Sequence, residues 1–187
     1  MKTEKKRQLI HILLGGIYVI IAFFLPKELS FISFLVIFAT GSFISYTHAH
    51  LTPVPFVKDI IEKVERKKET HIPGRAALSF TLGVILSTIL FYSFDKLILV
   101  GAILALTFGD GFSTIIGKTF GKRKTTDGKT IEGTIGGIIA ATIALSLFFN
   151  FEIALATAIF AMLAEYIPIN DNYTIPIVTG IVLIFLV

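Results

Sequence analysis

A single carboxylate interrupts a long apolar run, and a basic, glycine-rich stretch follows it. Asp110 stands in the sequence LTFGDGFST, and the stretch from Gly109 to Gly137 then contains Gly-Lys-Thr twice. Phosphoryl chemistry uses such parts, because cations and exposed backbone amides hold a polyphosphate and a carboxylate holds magnesium. The alternative is a solvated charge run that only orients the protein. The cations of this stretch are Lys118, Lys122, Arg123, Lys124 and Lys129.

The two Gly-Lys-Thr copies do not form a P-loop. That motif, G-x-x-x-x-G-K-[ST], requires glycine five residues before each Gly-Lys pair. Phe112 and Arg123 occupy those positions. A nucleotide site here would therefore differ from the Walker type.

The residues that follow the carboxylate predict one small, polar face of a helix. They fall at i, i+3, i+4, i+7 and i+11 from Asp110, which is a single stripe at helical spacing. The glycines of this stripe, and the later pair Gly133 and Gly137, are also typical of close helix packing in membranes. Both interpretations can hold together. The stripe consists of Asp110, Ser113, Thr114, Gly117 and Gly121.

The elements that must position these residues are apolar helices. The chain of 187 residues is 54% hydrophobic and 16% charged, with a mean hydropathy of +0.83 and no cysteine. Seven segments approach the roughly 20 residues that span a bilayer, and no cleavage motif follows the first, so we expect a retained anchor. The prediction is an all-α, polytopic integral membrane protein with one domain, 1–187. The segments are 9–25, 29–47, 76–93, 96–117, 132–149, 152–168 and 173–187.

Basic residues predict the orientation. Of the 17 Lys and Arg, all but Lys27 and Lys96 fall on one side of this topology, which the positive-inside rule assigns to the cytoplasm. We therefore expect a multi-pass protein of the cell membrane with its N-terminus in the cytoplasm and its C-terminus outside. Asp110 lies 14 residues after Lys96, roughly 21 Å along a helix. A carboxylate at that depth is costly unless it is paired, solvated or metal-bound.

The segment from Leu51 to Gly74 predicts an amphipathic helix. Apolar residues recur at helical spacing between flanking prolines, and the opposite face is basic. Such a helix lies on an anionic inner leaflet or, alternatively, covers an active site. Nucleic acid is not an expected partner, because the basic patches flank spans and no soluble domain accompanies them.

The glycine-rich pattern resembles a known signature. Asp110-x2-Ser113-x3-Gly117-x3-Gly121-x7-Lys129-Thr130-x-Glu132-Gly133 is similar to the CTP-binding motif of the dolichol kinase and phytol kinase family. Arg7 to His11 matches that family's basic-x-x-x-His entry into the first span. Glu165 and the run from Asp171 to Pro176 resemble its late acidic and Asp-Asn-x-x-x-Pro elements. The resemblance therefore covers most of the chain.

The resemblance implies roles for particular residues. Asp110 and Glu132 would bind Mg²⁺, Lys129 and Glu165 would join them as catalytic residues, and Arg7 and His11 would contact the nucleotide. His11 could instead position a carboxylate, or be a plain interfacial histidine. The remaining nucleotide-binding candidates are Gly109, Ser113, Thr114, Gly117, Lys118, Gly121, Lys122, Thr130, Gly133, Asp171 and Asn172.

The implied activity is CTP-dependent phosphorylation of a lipid alcohol on the cytoplasmic side. The alcohol would be an isoprenoid such as dolichol, another polyprenol, phytol or geranylgeraniol, or a diacylglycerol-like lipid. A CDP-lipid synthase also uses CTP, but its late basic and paired-aspartate signature is absent. A cation- or proton-coupled transporter is the alternative of another class, with Asp110 and Glu165 on the pathway. The small residues could also form a homodimer face.

Overall fold

The described residues, 2–51, 72–125 and 128–187 of a computed structural model, form a bundle of α-helices without a named strand. The predicted all-α class is confirmed for these ranges. The amphipathic helix predicted between Leu51 and Gly74 falls almost wholly outside them. A π-helical segment, Ala105–Asp110, and a 3₁₀ turn, Ala164–Tyr166, interrupt the series of α-helices. The helices are α1 Lys2–Phe24, α2 Lys27–His50, α3 Arg75–Leu90, α4 Lys96–Leu104, α5 Gly111–Phe120, α6 Ile131–Leu145, α7 Phe151–Leu163 and α8 Asp171–Leu186.

Polar caps set where four of the helices begin. Asp95 accepts a hydrogen bond from the backbone N–H of Leu97 (2.8 Å) at the start of α4. Thr130, Asn150 and Asn170 cap α6, α7 and α8 in the same way, at 3.0 to 3.1 Å. Side-chain acceptors of this kind satisfy the free N–H groups of a first turn. Because they interrupt the apolar runs, the predicted segments begin within two residues of these four helices, whereas α1 begins seven residues before its predicted segment.

Helix length supports a membrane protein. Within the ranges that the structure describes, three helical stretches are long and apolar enough to cross a membrane: Lys6–Phe24, Lys27–His50 and Lys96–Phe120. The four other helices have 13 to 16 residues, and so reach about 20–24 Å, short of a roughly 30 Å hydrocarbon core. The count of seven spans therefore stays a prediction.

The helix that carries Asp110 is the centre of the bundle. In the apolar window of Lys96–Phe120, 72% of the residues are buried, against 22% for α1 and 17% for α2. Glycines on both sides of Asp110 could let a helix break, but the chain stays helical from Gly109 to Gly111. It passes instead through the π segment, a wider turn that often occurs at functional sites. Asp110 is the last residue of that segment.

The two cations predicted to lie outside meet at one pole of the bundle. Lys27 Nζ donates to the backbone carbonyls of Tyr92 and Phe94, and Lys96 Nζ donates to that of Phe23 (2.7 Å). The predicted inner ends of α1, α3, α5, α6, α7 and α8 meet at the other pole, around a cavity. Lys27 and Lys96 thus lie at the pole opposite the cavity, and the membrane orientation stays a prediction.

Candidate functional site

A cavity of about 660 Å³ opens at the pole where the predicted inner ends of the helices meet. It brings together three predicted cations, Arg7, Lys118 and Lys129, and three predicted carboxylates, Asp110, Glu165 and Asp171. Residues far apart in sequence thus share one concave, charged wall, which is typical of a ligand site. The other predicted residues on this wall are His11, Ser113, Thr114, Gly117, Thr130, Gly133 and Asn172.

Asp110 faces α1 across the cavity. Its Oδ2 lies 3.6 Å from His11 Nε2, and the same nitrogen is 3.3 Å from the carbonyl oxygen of Leu106. Gly111 permits this approach, because a Cβ there would come within 2.9 Å of Ile12. Of the roles considered for His11, the geometry favours positioning a carboxylate. The side chains of His11 and Asp110 are only 15% and 17% exposed.

Glu165 is the most enclosed of the three carboxylates. The residue is 4% exposed, and its Oε1 accepts a hydrogen bond of 2.6 Å from Ser113 Oγ. A hydroxyl donor in this position offsets part of the cost of burying the group. Ser113 therefore connects the Asp110 stripe on α5 to the turn after α7.

Lys129 connects the basic loop to α8. The basic loop is the segment between α5 and α6 that carries Lys122, Arg123, Lys124 and Lys129. Its Nζ contacts both carboxylate oxygens of Asp171, at 2.9 and 3.1 Å, and also donates to the backbone carbonyl of Glu165. Burial raises the pKa of Asp171, which precedes the last predicted span, and the Asp110 charge adds to the rise, while Lys129 opposes it. This cluster is therefore one electrostatic unit.

The predicted metal residue Glu132 does not line the cavity. Its carboxylate instead accepts hydrogen bonds from the backbone N–H groups of Lys122 and Arg123, at 3.1 to 3.4 Å. Two free amides at the end of α5 hold the side chain in the loop, because a carboxylate is a strong acceptor for them. Lys122 itself is exposed and also lies off the cavity wall. The predicted pair of Asp110 and Glu132 is therefore not brought together on the cavity wall.

The glycines of the pattern make a close helix contact near the site. A Cβ on Gly133 would come within 2.8 Å of the Ser113 carbonyl oxygen and 3.0 Å of Gly117 Cα. Gly121 packs in the same way against Thr130, and Gly109 packs against Met162. Gly109 and Gly121 lie off the cavity wall. Glycine packing thus brings α6 against α5 and positions the polar stripe.

The structure adds polar groups that the motif did not include. Gln8 lines the cavity and is 2% exposed. Asn172 Nδ2 donates to Ser79 Oγ (2.7 Å), which joins α8 to α3, and Thr134 and Tyr166 share a hydroxyl hydrogen bond of 2.7 Å. Gln8 could have been found from sequence, because it shares a helical stripe with Glu4 and His11.

Fold and site together define an all-helical protein of membrane type with a charged cavity at one pole. No family model matches the chain, and no solved structure matches it. It is 28% identical over 183 residues to an uncharacterized protein of Methanocaldococcus jannaschii, an alignment that covers 96% of this chain and 92% of the relative. The relative thus has a similar length and brings no assigned activity.

Proposed function

We propose that this protein is a CTP-dependent lipid kinase, which transfers the γ-phosphoryl group of CTP to the hydroxyl of a lipid alcohol. The observation that carries the proposal is the convergence of four cations, Arg75 included, and three carboxylates on one cavity at a helix-bundle pole. Phosphoryl transfer requires cations around the phosphates and a carboxylate near the reacting oxygens. The Asp110–Gly133 pattern resembles the CTP-binding signature of dolichol and phytol kinases. This resemblance is the reason for proposing CTP as the phosphoryl donor and a lipid alcohol as the acceptor.

The cavity residues fit magnesium delivered with a nucleotide. Among the described residues no group of three or more His, Asp or Glu side chains is placed to hold a metal ion alone. Mg²⁺ commonly takes one or two protein carboxylates, with substrate phosphates and water completing its octahedron. Asp110 would supply such a ligand, and the ion would neutralise phosphate charge.

In the proposed reaction Lys118, Lys129 and Arg7 hold the phosphates at the cavity wall. The oxygen of the lipid alcohol attacks the γ-phosphorus in line, the bond from that phosphorus to the β–γ bridging oxygen breaks, and CDP leaves. Glu165 accepts the hydroxyl proton. Lys129 must release Asp171 to reach the phosphates, so nucleotide binding exchanges one ion pair for another.

The test follows two labels of CTP in parallel. Purified protein in lipid micelles receives Mg²⁺, a panel of polyprenols, phytol and diacylglycerol, and CTP labelled at the γ or the α phosphate. The proposal expects γ label in the lipid phase with one or more alcohols. Label from the α position in the presence of lipid phosphate would assign a CDP-lipid synthase instead. Label from neither position, in folded protein, would favour transport.

The matched variants are Asp110→Asn and Glu152→Gln. Asp110→Asn removes the negative charge at the cavity and should lower γ-label transfer by at least 100-fold without loss of fold. Glu152 is exposed at the other end of α7, so its amide variant should keep full activity. Full activity in Asp110→Asn would refute the assigned centre.

A further inference from the structure

Gln8 is a buried amide without a partner. The residue is 2% exposed and lines the cavity, and its Oε1 is buried and accepts no hydrogen bond within the described residues. Buried polar atoms are almost always paired, and each exception calls for an explanation. A bound ligand that donates to Oε1 would complete the pairing.

The register of α1 places Gln8 between the two ends of the proposed reaction. Glu4, one turn before it, contacts Lys118 Nζ at 2.7 Å, and His11, one turn after it, lies 3.6 Å from Asp110. The three α1 residues form one stripe at i, i+4 and i+7. Along the axis of α1, Gln8 therefore lies between Glu4, which contacts the proposed phosphate-binding cation Lys118, and His11, which lies beside the Asp110 carboxylate.

Four apolar side chains line this side of the cavity. They are Ile10 and Leu14 of α1 and Ala76 and Ala77 of α3, and Ile10 is 40% exposed. These four side chains form the apolar wall, with Arg7 and His11 of α1 and Arg75 of α3 beside them. The cavity carboxylates come from other parts of the chain: Asp110, Glu165 and Asp171.

Aromatic contacts close the deeper end of this gap. The ring of Phe80 on α3 contacts His11 at a centroid distance of 4.7 Å and stacks on Tyr18 at 5.5 Å. Tyr18 also shares a hydrogen bond of 2.6 Å with Thr81. Toward the cavity pole, α1 from Arg7 onward and the first turn of α3 both line the cavity.

We propose that the gap between residues 7–14 of α1 and the first turn of α3 is the entrance for a lipid alcohol, and that Gln8 Oε1 accepts a hydrogen bond from its hydroxyl until that proton passes to Glu165. The inference rests on the proposed function and adds where the acceptor binds. The alkyl chain lies along the apolar wall, and the amide turns the oxygen toward the phosphates. A hydroxyl donor suits an uncharged acceptor that is already desolvated.

The first experiment locates the lipid without requiring catalysis. A polyprenol with a diazirine in its first isoprene unit is irradiated with the folded protein in micelles, and the labelled peptides are mapped by mass spectrometry. Label is expected on residues 7–14 of α1 and on the first turn of α3, competed by unlabelled polyprenol and reduced about tenfold in Gln8→Leu. The control Leu9→Ala changes a neighbour that is 57% exposed and should label like the wild type.

The second experiment measures initial rates while lipid alcohol and CTP are varied in turn. Loss of one hydrogen bond should raise the KM for the alcohol about tenfold in Gln8→Leu and leave the KM for CTP unchanged. Gln8→Leu should melt no lower than the wild type, because leucine removes an unpaired buried amide.

The outcomes separate the two proposals. Label on other helices, equal label in Gln8→Leu, or a rise in the KM for CTP would each overturn the entrance. Label at α1 and α3 without γ-phosphoryl transfer would keep the lipid site and refute the kinase.

Discussion

Gly133→Ala tests the glycine contact that holds α5 against α6. The added Cβ would lie 2.8 Å from the Ser113 carbonyl oxygen, 3.0 Å from Gly117 Cα and 3.0 Å from Thr130 Oγ1. Two of these neighbours are backbone atoms, so relief requires the helices to separate by roughly 0.5–1 Å, to reach ordinary contact distances. Overpacking of this kind costs about 1–3 kcal/mol.

Gly16→Ala is the matched control for the stability change. Gly16 also lies inside a helix, but a Cβ there meets no atom within 4 Å. Both variants gain about 1 kcal/mol of helix propensity, so their difference isolates the contact. We expect Gly133→Ala to be less stable than Gly16→Ala by about 1–3 kcal/mol, or roughly 2–12 °C in Tm for a chain of this size.

The assay is thermal unfolding in lipid micelles, followed by circular dichroism at 222 nm, with γ-label transfer measured on the same samples. Asp110 and Ser113 lie on the α5 side of the contact, and Lys129 directly precedes α6. A displacement of up to 1 Å between them should lower activity by about tenfold or more. Equal Tm values for the two alanine variants would refute the α5–α6 contact.

Two further changes test the charges of the cavity. Glu4→Gln removes the carboxylate that pairs with two cavity cations at 2.6 and 2.7 Å, so the KM for CTP should fall about two- to fivefold in initial-rate measurements; an unchanged KM would place the phosphates elsewhere. Lys129→Met leaves Asp171 without its cation and should lower both γ-phosphoryl transfer and Tm. Adding Asp171→Asn should recover Tm but not activity, and recovery of both would contradict a phosphate-binding role for Lys129.

Much of the architecture was predictable because the sequence marks it locally. Apolar runs divided by Asp95, Asn150 and Asn170 predicted helices whose observed ends differ by only a few residues. The number of spans was not settled in the same way, because helices of 13 to 16 residues are short for a membrane span, and hydropathy does not distinguish a short span from a buried helix. Packing, rather than hydropathy, decides between them.

The candidate site was predictable where a helical stripe carries it. Asp110, Ser113 and Gly117 line the cavity as their spacing predicted. Glu132 differs because free backbone amides at the end of a helix compete for its carboxylate, and no sequence spacing records that competition. The burial of Gln8 was equally hidden, since it depends on how α1 meets the central helix.

The π segment limits which deletions this protein can tolerate during evolution. A single wide turn contains one residue more than an α-helical turn, so it rotates everything after it by about 100° relative to what precedes it. In this chain the segment separates the buried face of α4 from the polar face that begins at Asp110. Loss of one residue between Ala105 and Asp110 would leave an unbroken, more regular helix and turn its carboxylate away from the cavity. The π turn therefore allows α4 to stay buried while the carboxylate of Asp110 faces the cavity.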